Sequence, residues 1–336
     1  MLLAFGFTGV GAVYQHADVA RWVGFLIAAY AAVANDSIQT IGTFIASNKA
    51  QRWWRLWLFI GGIFLLTVGY SFFAYDGDVS YQRLATKGFA TTPTSFSYLQ
   101  VAAPLFLLAL TRLRMPVSTT FLLLTSFTTS TASVGKVLVK SLAGYGIAFV
   151  AAVTVFLIVA RLMERWTHHR AASFWRPAQW VTSGALWSVW LMQDAANIAV
   201  YLPRRLNGLE FAAFAGIIFL GLGLLFRMRG ERIQHVVDEK SSVVDVRAAT
   251  LIDLIYGTIL FYFKVYSQVP MSTTWVFIGL LGGRELAMAF RGTASRSRAE
   301  AAGVMAKDAS LVGIGLVVSL VLAALVNPVF RAGLLG

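Results

Sequence analysis

The chain has 336 residues and no cysteine. Disulfides, thiol nucleophiles and cysteine-ligated metals are therefore excluded. Charge is scarce as well, at 13% of residues, where soluble domains carry about 25%. A chain of this size with so few charges cannot cover a soluble surface. Acidic residues are the scarcest charge, with 15 Asp and Glu against 28 Lys and Arg, a net charge of +13. In a soluble protein that surplus points to nucleic acid. Here no basic and aromatic nucleic-acid module appears, and most Arg and Lys flank apolar runs. That is the positive-inside pattern, with membrane lipid rather than nucleic acid as the partner of the basic loops. Enzyme motifs are also missing. The four histidines, His16, His168, His169 and His235, fall in loops or termini. The adjacent pair His168–His169 lacks the carboxylate company of a metal site. No spacing resembles a zinc site, a P-loop, a dinucleotide fingerprint or a nucleophile elbow. The first residues are apolar without a basic n-region, which predicts mature protein or a short interfacial segment rather than a cleaved signal.

What the sequence has instead is long apolar runs. A crossing needs about 20 apolar residues. Candidates are Trp22–Ser47, Trp57–Phe73, Tyr98–Leu110, Val137–Ala160, Trp180–Tyr201, Phe211–Phe226, Ala248–Tyr266 and Leu311–Val326. Two more stretches, Met115–Val134 and Pro270–Phe290, are rich in Ser, Thr and Gly and predict broken or re-entrant helices. The fold class is an all-α polytopic membrane protein, multi-pass, and the expected location is a bacterial inner membrane. With the Lys49–Arg55 loop in the cytoplasm, 18 Lys and Arg fall inside and 6 outside: Arg21, Arg83, Lys87, Arg204, Arg205 and Arg331. Lys136, Lys140, Lys264 and Arg284 sit inside or at the rims of apolar runs, and the three lysines there either attract an anion or snorkel to the interface. Counting each Ser/Thr-rich stretch as one crossing gives five crossings per half. An odd number makes the second half enter from the opposite side, so two inverted-topology repeats are expected. They are residues 1–176 and 177–336, with a cytoplasmic loop at about 227–247.

Two motifs recur at nearly one offset. Asn35-Asp36-Ser37-Ile38-Gln39 has its counterpart in Gln193-Asp194-Ala195-Ala196-Asn197. Pro116-Val117-Ser118-Thr119-Thr120 returns as Pro270-Met271-Ser272-Thr273-Thr274. On a helix, residues four apart share a face, so Asn35 with Gln39, and Gln193 with Asn197, each turn two amides to one side. A carboxylate with amide oxygens suits a hard cation such as Na⁺, while amide N–H groups can instead serve an oxyanion. Charge inside a span costs roughly 2.5–3.5 kcal/mol, which makes Asp36 and Asp194 candidates for a site. In P-x-S-T-T, Pro favours a helix start, and Ser and Thr cap it. Half-helices starting there would turn their N–H groups and hydroxyls toward an anion at the midplane. The plainer alternative is that these polar groups only join helices. Asp253 is open to either reading, and Glu285 beside Arg284 reads first as an internal ion pair.

The motifs A-N-D at Ala34–Asp36, D-A-A-N at Asp194–Asn197, P-V-S-T-T and P-M-S-T-T together resemble, in order, the duplicated signatures of the inorganic phosphate transporter (PiT) family. The resemblance runs from about Trp22 to Phe290. It implies a symporter of inorganic phosphate with Na⁺ or H⁺, built as inverted repeats and homodimeric. It assigns Asp36 and Asp194 to the coupling cation. It assigns Asn35, Ser118, Thr119, Thr120, Asn197, Ser272, Thr273 and Thr274 to the substrate and ion pocket, to which the shared helix faces add Gln39 and Gln193 as substrate-binding candidates. The chain departs from the signatures at Val33, Gln39 and Gln193, and Phe121 and Trp275 stand where the family motif has histidine. Sulfate or another oxyanion is therefore an alternative substrate, and a non-transporting scaffold or receptor a second alternative. With no histidine in the spans, Na⁺ is the expected coupling ion. No other cofactor is expected.

Overall fold

The computed structural model describes residues 2–86, 88–112, 117–167, 171–228, 245–266, 270–291 and 298–335. Pro116, His168, His169, His235 and most of the 227–247 loop lie outside them. Every regular element among the described residues is helical. In chain order these are α1 (Leu2–Val13), α2 (Ala17–Ala31), a π turn (Ala32–Asp36), α3 (Ile38–Ser47), α4 (Trp53–Ala74), α5 (Tyr98–Arg112), α6 (Thr119–Leu123), a 3₁₀ turn (Leu124–Phe127) and α7 (Thr131–Thr167). The second half continues with α8 (Trp175–Ala199), α9 (Gly208–Arg227), α10 (Val246–Tyr266), α11 (Thr273–Arg291), α12 (Arg298–Val326) and α13 (Pro328–Leu335).

Each apolar run expected to cross is helical, Trp22–Ser47 as α2, the π turn and α3 in succession, and most helices extend a few residues beyond the run. Asn207, for example, starts α9 with a reciprocal capping box to Glu210. Six described helices are long and apolar enough to cross a membrane. α8, with 25 residues, and α11, with 19, have the length but carry the polar motifs, which lower their apolarity.

The joints gather at two ends. At one, the Asn48 amide donates to Gln179 Oε1 at 2.7 Å, the Trp180 indole donates to Asn48 Oδ1 at 3.0 Å, and Arg291 donates to Leu157 O at 2.8 Å. At the other, Leu206 N–H donates to Gly77 O, Thr129 N–H to Gly88 O, and Arg204 to the carbonyls of Phe89 and Thr91. Burial brings the Arg204 guanidinium down to about 10, with the charge of Asp78 opposing, so it stays cationic at neutral pH. Where described joints bond to one another, they pair with joints expected on the same membrane side.

The two Ser/Thr-rich stretches fold differently. After Thr119–Leu123 the chain tightens into the 3₁₀ turn and leaves in extended form before α7. Hydroxyls cause this: Thr125 donates to Phe121 O, and Ser126 to Leu122 O at 2.8 Å, competing for helix carbonyls. Asn327 then satisfies the freed carbonyls of Thr125 and Thr128, at 3.1 and 2.7 Å. After Thr273–Thr274 the sequence is W-V-F-I-G-L-L, with no hydroxyl, and α11 runs unbroken to Arg291.

Candidate functional site

The first acidic motif sits where a long helix is widened. Ser37 N–H reaches back five residues to Ala32 O at 2.8 Å, and the Ser37 hydroxyl takes Val33 O at 2.6 Å. Thr40 donates to Ser37 O at 2.7 Å. Hydroxyls engaging carbonyls open the turn, and π bulges of this kind mark functional positions. Asp36 ends the bulge and is buried. Asn35 lies within it, and its side chain is outside the described residues. The second acidic motif differs, since Asp194 sits in the regular α8 with Gln193 and Asn197, all buried.

The two S-T-T segments begin alike. Ser118 accepts from Phe121 N–H at 3.3 Å, and Ser272 accepts from Trp275 N–H at 3.3 Å. The Phe121 and Trp275 rings then meet at 5.3 Å. Both helix starts therefore belong to one place.

Side-chain bonds join all four motifs. Thr119 donates to Asp36 Oδ2. Gln39 donates to Thr274 Oγ1 at 3.2 Å, and Asn197 donates to Thr120 Oγ1 at 3.3 Å. These last two bonds are counterparts, because each runs from the amide four residues into, or at the end of, one acidic motif to the last Thr of the other half's S-T-T. Thr120 also donates to Met271 O at 3.0 Å. Thr273, the counterpart of Thr119, adjoins Asp194, and Asp36 lies within electrostatic reach of it. Outside supports fix the frame: Tyr256 donates to Thr273 O at 3.0 Å, Ser272 N–H to Ser141 Oγ at 2.8 Å, and Gln193 to Leu260 O at 3.0 Å. Asp194 further lines a small cavity with Ala32, Val33, Ser37 and Trp190.

Two sets of groups remain for a ligand. Gln39 Oε1, Gln193 Oε1, Asp194 Oδ2 and Asn197 Oδ1 are buried oxygens that accept no hydrogen bond among the described residues. Leaving such atoms unmet is costly, and oxygens with a carboxylate among them are ligands for a hard cation. The hydroxyls of Ser118, Ser272 and Thr274 each accept one bond and donate none among the described residues, so each keeps a proton for an oxyanion. No group of three or more His, Asp or Glu side chains that could hold a metal ion occurs among the described residues.

Two features escape sequence reasoning. Asp253 is 1% exposed and accepts from Thr43 at 2.6 Å and Ser183 at 2.5 Å, and Gln179 and Asn48 extend the network. Its signal is spacing: Thr43 is two turns after Asp36 and Ser183 three turns before Asp194, on the motif faces. Replacing Asp253 by alanine strands both hydroxyls and is expected to cost about 2–4 kcal/mol, read as a lower melting temperature in detergent. Arg83 is the second. Its position among outer loop charges suggests exposure, yet it is completely buried and reaches Met192 O, two residues before Asp194. Glu285 does pair with Arg284, at 2.9 Å.

No protein-family model matches the chain, and no curated protein does. Among solved structures it matches one titled "The sodium-dependent phosphate transporter", with a TM-score of 0.63 and 16% identity over 95% of this chain and 99% of that one. At that identity the likeness shows the fold of a membrane transporter.

Proposed function

We propose that this chain is a symporter that moves inorganic phosphate with Na⁺ across a bacterial inner membrane by alternating access. The carrying observation is the pair of cross-half bonds, Gln39 to Thr274 and Asn197 to Thr120, which enclose Asp36, Asp194 and the unmet oxygens. That pairing supports residues 1–176 and 177–336 as inverted-topology repeats around one chamber. The similarity to a sodium-dependent phosphate transporter agrees with this reading.

The chemistry selects the ions. A proton needs a single basic oxygen and leaves the amide oxygens idle, whereas Na⁺ uses Asp194 Oδ2 with Asn197 Oδ1 and the glutamine oxygens together. Coupling follows from charge. An oxyanion beside two carboxylates is repelled in a low-dielectric site, and Na⁺ offsets that repulsion before the hydroxyls of Ser118, Ser272 and Thr274 close on the anion. Phosphate is favoured over sulfate because near neutral pH it still carries a proton, which can be donated to a carboxylate oxygen. Sulfate has no proton to donate. Movement of one half against the other must remake the two cross-half bonds, which ties opening to ligand occupancy. Exposed apolar side chains such as Leu66, Phe73, Ile158 and Val317 provide faces for lipid and for the second copy of a homodimer.

Reconstituted vesicles test this. Labelled phosphate should accumulate under an inward Na⁺ gradient, stall in K⁺ medium, and be competed only weakly by sulfate. Equal competition would point to a general oxyanion permease. Uptake driven by a pH gradient alone would replace Na⁺ with H⁺, and no uptake under either gradient would favour the scaffold or receptor reading.

A further inference from the structure

Three cations converge beside the Asp194 side of the site. Arg83 comes from the loop between α4 and α5. It is fully buried, donates Nε–H to Met192 O at 3.5 Å, and lies within electrostatic reach of Asp194. Lys140, on α7, precedes Ser141, whose hydroxyl holds Ser272 N–H, and its ammonium lies 6.0 Å from the Phe263 ring centroid. Lys264, on α10, is one turn beyond Leu260, whose carbonyl holds Gln193, and its ammonium lies 5.6 Å from the Tyr81 ring centroid. Both lysines feel the charge of Arg83, and Lys140 that of Lys264. Each lysine thus sits within one helical turn, along the chain, of a residue that holds a site residue, and Arg83 reaches the carbonyl two residues before Asp194. The lysines are partly covered and Arg83 wholly covered, so the cluster grades from rim to interior.

Like charges gathered in a low-dielectric wall repel. A multivalent anion between them offsets that repulsion, and a cleft lined by one sign of charge raises the local concentration of its counter-ion. Guanidinium offers a planar fork for two oxygens, and ammonium a mobile point charge. Snorkelling accounts for lysines at the rim but not for the wholly buried Arg83 beside them. We propose that Arg83, Lys140 and Lys264 form a second oxyanion site, a waiting position that phosphate occupies before it reaches the S-T-T starts. This rests on the transport reading above. It assigns the cluster to capture rather than to coupling.

The test is phosphate uptake kinetics in Na⁺-loaded gradients for the wild type, Lys140→Gln, Lys264→Gln and the matching Arg variants. Each Gln variant should raise KM for phosphate about fivefold to tenfold, with the Na⁺ activation curve in place and the maximal rate within about twofold. Arg at either position should restore KM, and the Gln effect should shrink as ionic strength rises. Unchanged KM in both Gln variants, or a fall in maximal rate at constant KM, overturns the waiting site and leaves the transport reading intact. Lys264, at the rim, guards against misfolding as the explanation. An inactive wild type would instead overturn the transport reading, and the waiting site with it.

Discussion

Replacing Asp194 by asparagine is expected to cut Na⁺-driven phosphate uptake on the order of 100-fold while leaving the protein folded. The substitution keeps shape and volume. Oδ1, which accepts from Asn197 at 2.5 Å, can still be presented by the amide. Oδ2 cannot be replaced, because that buried acceptor, unmet among the described residues, becomes an N–H₂ donor without charge. A cation there loses its one charged ligand on α8 and meets a donor instead. Removing one partner of a buried charge pair costs about 3 kcal/mol or more, which is roughly a hundredfold in an equilibrium constant. The signature is a shift of Na⁺ activation to much higher concentration, with a melting temperature close to wild type. Asp36→Asn should differ. Asp36 Oδ2 already accepts from Thr119, so that change also loosens the first S-T-T start and should affect phosphate and Na⁺ dependence together. Retention of more than a tenth of the wild-type rate in Asp194→Asn would place the cation elsewhere.

The bundle is legible in the sequence because its causes are local. Apolar runs of crossing length become helices wherever they occur, and the motif repeats mark the four segments that meet. Asp194, Asn197, Thr119 and Thr120 are found this way, and they do converge. What is not legible depends on contacts distant in sequence. Pro-x-S-T-T reads the same in both copies, yet only the first breaks into a short helix and a 3₁₀ turn. The difference lies in downstream hydroxyls at Thr125 and Ser126 and in Asn327, about 200 residues away, which holds the freed carbonyls. Arg83 reads as a loop charge because loops carry no periodicity to show burial. Asp253 reads as ambiguous until Thr43 and Ser183 are seen to face it. The π turn at Asp36 has no composition of its own. It follows from where the Ser37 and Thr40 hydroxyls place their bonds.

The second large effect is expected from Gly283→Val, at a position well along α11 from its S-T-T start. α11 lies against α7 so closely that a Cβ at Gly283 would stand 2.4 Å from Phe149 O, and one at Gly279 2.5 Å from Tyr145 O. Both obstacles are helix backbone, which cannot turn aside as a side chain can. The two glycines are four residues apart and share a face, the small-residue spacing that brings membrane helices into close contact. Valine there must push the helices apart. Overpacking costs about 1–3 kcal/mol, and for a chain of this size each kcal/mol lowers the melting temperature by roughly 1–2 °C. The functional loss should exceed the stability loss. α11 starts at Thr273 and Thr274, so a shift along its length displaces the hydroxyl that Gln39 holds and the Thr273 carbonyl that Tyr256 holds. Phosphate uptake should therefore be nearly abolished in protein that still purifies as a folded species. Gly313→Val on α12 is the control, since nothing lies within 4 Å of a Cβ there. Uptake and melting temperature should both stay at wild-type values in that variant. Normal uptake in Gly283→Val would mean that the second S-T-T start is held in place without the α7–α11 contact, and would remove the packing argument for how the site is positioned.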